Sequence, residues 1–206
     1  MKGVMDEQLL IWRLNSRPQR PLDCSPGEEE DLLTGLLLTG MVVPDAGKIR
    51  GIVRNGEGWE VETDGEGSLT DIARRLGMIP SRPMRLPPGE EAAYLAGLYR
   101  ERGKGDGLHT ALLLCGGTVF SGRDIARHSA LDRAVGKAAL AGALAEGALL
   151  AISGRLSLEM LLKAAAVGVG AILTEKQVGS LAMEYAEKWG VLLKAPFSRE
   201  KGVTEK

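Results

Sequence analysis

The constraint that narrows the fold most is an alternation in the last third of the chain. Three short apolar runs, 148–153, 169–173 and 191–194, alternate with segments of helical periodicity at 157–167 and 179–189. Strands separated by helices of this length must lie parallel in one sheet, joined by right-handed crossovers. Upstream, apolar runs at 108–114 and 118–120 surround Cys115-Gly116-Gly117, which predicts a buried hairpin, and a helix is expected over 129–145. The expected class is α/β, a mixed sheet flanked by helices.

The first 77 residues read differently. Residues 8–15 form an expected strand, and 16–21, with Pro18 and Pro21, a turn. Ser25-Pro26-Gly27-Glu28 has capping-box spacing, so a helix is expected from about 27 to 39, ended by Gly40. Asn55-Gly56-Glu57-Gly58 between 48–54 and 59–63 signals a hairpin, and Ser68 can cap a short helix ending at Gly77. Four prolines between 78 and 89 mark an exposed connection, and a helix is expected over 90–100. The expected organisation is an N-terminal α+β lobe (1–77), a Pro-rich loop (78–89) and an α/β core with a binding crevice (90–206).

Charge and cysteine usage exclude several functions. With 27 acidic and 26 basic residues the net charge is -1, so no overall field draws the chain to nucleic acid. The apolar stretch 32–43 stops at Pro44, short of the roughly 20 residues that span a bilayer, and residues 1–7 lack a secretion signal. No membrane contact and a cytoplasmic location are expected. The two cysteines, Cys24 and Cys115, cannot supply a disulfide framework or a Cys-rich zinc site. If either acts, it acts as a thiol; Cys24 lies just before an expected helix start, where a dipole can lower a thiol pKa.

Two stretches carry candidate chemistry. In Arg123 to Arg133, Ser129 and Asp132 have the spacing of a cap and its return bond, which leaves Arg127 and His128 free to meet an anion at a helix start. In Ser153-Gly154-Arg155-Leu156-Ser157-Leu158-Glu159, an apolar strand opens into a helix. There Gly154 allows close backbone approach, Arg155 offers a two-pronged donor and Ser157 caps the helix. The helix from Ser129 is rich in Gly and Ala, which predicts close packing on the sheet or a dimer seam.

Arg127-His128-Ser129-Ala130-Leu131-Asp132-Arg133, followed by Ser153-Gly154-Arg155-x-Ser157-x-Glu159, resembles the signature of the formate dehydrogenase accessory (FdhD) family. Ser25-Pro26-Gly27, Leu108-His109-Thr110-Ala111, Lys163-Ala164, Ser180-Leu181-Ala182 and Phe197-Ser198-Arg199 are similar to further family motifs. The resemblance implies a cytidine deaminase-like core, a homodimer and transient binding of a molybdenum bis(guanine dinucleotide) cofactor. It also implies sulfurtransferase-like delivery of sulfur from a cysteine desulfurase to a formate dehydrogenase or related molybdoenzyme. The cofactor-binding residues it implies are His109, Arg127, His128, Asp132, Ser153, Gly154, Arg155, Ser157, Phe197 and Arg199.

The family delivers sulfur through a Cys-x-x-Cys loop, and 78–89 contains no cysteine. The expected function is therefore cofactor binding without the usual thiol pair. The alternative is an active sulfur carrier that uses Cys24, Cys115 or a partner's cysteines. Zinc-dependent deamination is set aside, and no metal site is expected, because neither His109 nor His128 opens a His-x-Glu and no Cys-x-x-Cys exists.

Overall fold

A computed structural model of the chain describes residues 5–56, 58–64, 75–79, 96–97, 100 and 106–195. The first expected strand is two, β1 (Gln8–Leu10) and β2 (Trp12–Leu14), which enter different sheets. Alternation survives the break: Leu10, Trp12 and Leu14 are buried while Leu9 and Ile11 face outward. The expected turn contains a short strand, β3 (Arg17–Pro18), reached through Asn15 and Ser16 at φ 47° and 64°. β4 (Leu22–Cys24) pairs antiparallel with β1. The predicted hairpin forms from β5 (Ile49–Asn55) and β6 (Gly58–Thr63), with Gly56 at φ 61° in its turn. β1 and β4 form a two-stranded sheet, and the other four strands make a second in the order β3-β2-β6-β5.

Helix α1 (Glu29–Thr39) lies between these sheets and the rest of the chain, and every residue from Leu32 to Thr39 is buried. Its expected capping box does not form. The cap position is Glu28 at φ 55°, and the Ser25 hydroxyl instead accepts a hydrogen bond from the Ile125 amide at 3.1 Å. The left-handed residue at the other end is Met41 (φ 56°) rather than Gly40 (φ -76°), because the closing bond runs from Val42 N to Leu37 O.

The third sheet contains β7 (His109–Cys115), β8 (Thr118–Asp124), β9 (Ala148–Ile152), β10 (Val169–Thr174) and β11 (Leu192–Lys194), in the order β11-β10-β9-β7-β8. As expected, β9, β10 and β11 are parallel, while β7 runs antiparallel to β8 and β9. Gly116 and Gly117, at φ 56° and 84°, form the two-residue turn, so Cys115 ends a strand instead of lying in the turn. β8 runs four residues beyond its apolar part, to Asp124. Gly122 permits this, since a Cβ there would lie 2.0 Å from Ala130 O on the helix above.

Helices α2 (Arg127–Leu140), α3 (Leu158–Ala166) and α4 (Ser180–Trp189) follow. α2 starts two residues before its expected start and stops at Leu140, where Gly142 at φ 65° lets Ala143 N bond Ala138 O. Its small residues are used within the chain: a Cβ on Gly136 would lie 1.9 Å from Asp31 O, and one on Gly35 would lie 1.8 Å from Asp132 O. The close approach is therefore between α1 and α2, as well as between α2 and β8. Among the described residues no helix is long and apolar enough to cross a membrane. The Ser68 helix start, residues 80–89 of the Pro-rich loop and most of the expected 90–100 helix lie outside the described residues, as do Phe197 and Arg199.

Candidate functional site

The site lies at the carboxyl ends of β9 and β10, where an open α/β sheet offers a crevice. β7 enters from the opposite direction, which brings His109 level with the residues after β9. Two bonds join the strands there: Ser153 N donates to Thr110 O, and Thr110 N donates to Ser153 Oγ, both at 2.9 Å. The Ser153 hydroxyl is thus turned into the sheet. After β9, Ser157 caps α3 as predicted, its hydroxyl accepting from Met160 N at 3.4 Å.

Arg127, Arg155 and Lys176 surround a cavity of about 590 Å³, together with His109, Ser153, Gly154 and the segment Asp106 to Leu108. That volume falls within the range of about 300–1,000 Å³ typical of small-molecule sites. Gly154 forms the wall between two of the polar groups. A Cβ there would lie 3.3 Å from Arg127 Cβ and 3.4 Å from His109 Nδ1, so a side chain would crowd both residues. The carboxylate at the rim, Asp106, is held by Arg123. Arg127 Nε is buried without a hydrogen-bond partner among the described residues, as are Arg75 Nε and Arg123 Nε.

The structure brings together His109, Arg127, Ser153, Gly154 and Arg155, and places Ser157 at the helix start beside them. It takes His128 and Asp132 elsewhere. His128 Nε2 faces Glu159 Oε2 at 3.5 Å on α3, and burial pushes its pKa below the ordinary value against the pull of Glu159. Asp132 is buried and accepts from Thr39 Oγ1 at 2.7 Å and Lys163 Nζ at 2.5 Å. It does not return a bond to Ser129, which lies buried inside α2. The pairing of Asp132 and Lys163 ties α1, α2 and α3 together behind the crevice.

The α2 start is fixed by residues whose role the sequence did not disclose. Asp124 Oδ1 accepts from Ala126 N at 2.9 Å, and Asp124 Oδ2 accepts from Arg133 Nε at 2.8 Å and Ser25 N at 3.2 Å. Arg133 also donates to the carbonyls of Gly27 and Ser25. Ser25-Pro26-Gly27 is therefore a structural clasp on the segment that delivers Arg127. Lys176 was also missed. Its signal was positional, a cation two residues past an apolar strand, as Arg155 is three past β9.

Cys24 and Cys115 are both buried. Burial, reinforced by Asp124, pushes the Cys24 thiol up to about 11, and burial raises Cys115 as well. The expectation of a dipole-lowered Cys24 is thus overturned: burial outweighs the helix end, where Glu29 already accepts bonds from Gly27 N and Gln8.

Fold and site together define an α/β protein with a cationic crevice at the carboxyl edge of a mixed sheet. The model of the FdhD/NarQ family matches residues 91–204, more than half of the chain, and the chain belongs to that family. A sulfur carrier protein FdhD of Anaeromyxobacter dehalogenans (strain 2CP-C) is 30% identical over 217 residues, covering 82% of this chain and 74% of its own length. One from Thermoplasma volcanium is 30% identical over 134 residues, and the match covers 63% of this chain and about half (48%) of that relative. A solved structure from Desulfotalea psychrophila, described as a candidate formate dehydrogenase accessory protein, superposes with a TM-score of 0.77 at 24% identity, covering 92% of this chain and 82% of that one.

Proposed function

We propose that this chain binds the guanine-dinucleotide end of a molybdenum cofactor in service of a formate dehydrogenase or related oxidoreductase, without carrying sulfur on its own cysteines. One observation carries the reading. Arg127 and Arg155 flank Gly154 around a cavity of about 590 Å³, and Arg127 Nε has no hydrogen-bond partner among the described residues. A pyrophosphate needs fixed donors, which the guanidinium forks of Arg127 and Arg155 offer at the cavity. The bound cofactor would supply the metal that accepts sulfur; this chain's residues would hold and orient its phosphates. A homodimer and contact with a cysteine desulfurase belong to the same proposal.

The relatives' name favours the second reading, an active carrier through Cys24, Cys115 or a partner's cysteines. The burial of both thiols counts against the first two routes. The binding reading is tested by calorimetry with GDP on the native chain and on Arg155→Ala. The variant is expected to lose about 1.5–3 kcal/mol of binding, the range for a charge-assisted contact. Equal affinities would place the site elsewhere, and a native chain that binds no GDP would contradict the proposal.

A further inference from the structure

Lys176 lines the same cavity as Arg127 and Arg155 but arrives from a third segment, after β10. Its backbone is held firmly to the loop opposite. Lys176 N donates to Thr174 Oγ1 at 3.1 Å, and that buried hydroxyl donates to Gly154 O at 2.8 Å. One residue on, Gln177 O accepts from Leu156 N at 3.1 Å, and Gly179 N closes the pairing on Leu156 O at 2.9 Å. The loop that bears Lys176 is thereby registered on the loop that bears Arg155. Three cations on three tethered segments exceed what one phosphate requires.

We propose that Lys176 sets the specificity of the crevice for a diphosphate over a monophosphate end. This rests on the binding reading above and assigns a ligand class to it. A diphosphate carries about one more negative charge than a monophosphate and spreads it over two groups, so it can meet a cation on the β10 side while Arg127 and Arg155 hold the first group. Lys176 suits this as an ammonium on a flexible stem, whose strength falls with salt.

The test is calorimetry at low ionic strength with GDP and with GMP on the native chain, Lys176→Met and Lys176→Arg. Lys176→Met is expected to weaken GDP about tenfold and GMP less than about twofold, while Lys176→Arg keeps the preference. Because Lys176 is exposed, an unchanged melting temperature should accompany the loss. An equal loss for both nucleotides, or none for GDP, would overturn the assignment. GDP binding that falls with Arg155→Ala but not with Lys176→Met would overturn this inference alone. A native chain that binds neither nucleotide would overturn the binding reading with it.

Discussion

Replacing Arg133 by Met is expected to lower folding stability by about 3–5 kcal/mol, the cost of breaking a buried ion pair from one side. The Arg133 and Asp124 side chains are 1% and 0% exposed, and Nε meets Oδ2 at 2.8 Å. Methionine fills similar space but leaves a buried carboxylate without its cation and two carbonyls, of Ser25 and Gly27, without a donor. Burial already pushes the Asp124 carboxyl above its ordinary value, against the pull of Ala126 N and Arg133. Without the guanidinium it rises further. A raised folded-state pKa means stability present at low pH and lost as pH rises through that value, so the deficit of the variant should shrink as pH falls. Urea unfolding at two pH values measures both effects. A loss below about 1 kcal/mol at neutral pH would contradict the role given to the clasp.

Gly136→Ala should destabilise by about 3 kcal/mol even though alanine is the better helix former by about 1 kcal/mol. The sign separates propensity from packing. The added methyl would meet Asp31 O at 1.9 Å, a backbone atom that no rotamer change can move, so α1 and α2 must separate. Because Gly35 makes the reciprocal approach to Asp132 O, separation would also strain the bond between Asp132 and Thr39. Thermal melts of the native chain and variant measure this, and a stabilised variant would show that the helices yield freely.

What was legible in the sequence was local. The parallel β9, β10 and β11, the turn around Gly56 and the Ser157 cap are each written in residues a few positions apart. The crevice was legible because its members stand at one edge of the sheet, Arg127 and Arg155 just past the ends of β8 and β9 and His109 at the start of the antiparallel β7. What failed was the assignment of polar residues with two available partners. Ser25 and Ser129 each had cap spacing, yet Ser25 bonds Ile125, 100 positions away, and the α2 start is held by Asp124. Asp132 meets Lys163, 31 positions on, so a residue in the family-like stretch proves to be a core tie. No local pattern separates a buried ion pair from a ligand-binding one. Residues 197 and 199 lie outside the described part, so their place beside the crevice rests on the resemblance.

We propose that this family member, with its cationic crevice at the sheet edge, has no thiol of its own fit to carry sulfur. Both of its cysteines are buried, and burial raises the pKa of each thiol, which disfavours the thiolate that would attack a sulfur donor. The most direct measurement is the mass of the folded chain, and of its peptides containing Cys24 and Cys115, after incubation with a cysteine desulfurase and cysteine. The mass is predicted to remain unchanged. A gain equal to one sulfur atom on either peptide would contradict the account and make the chain a carrier.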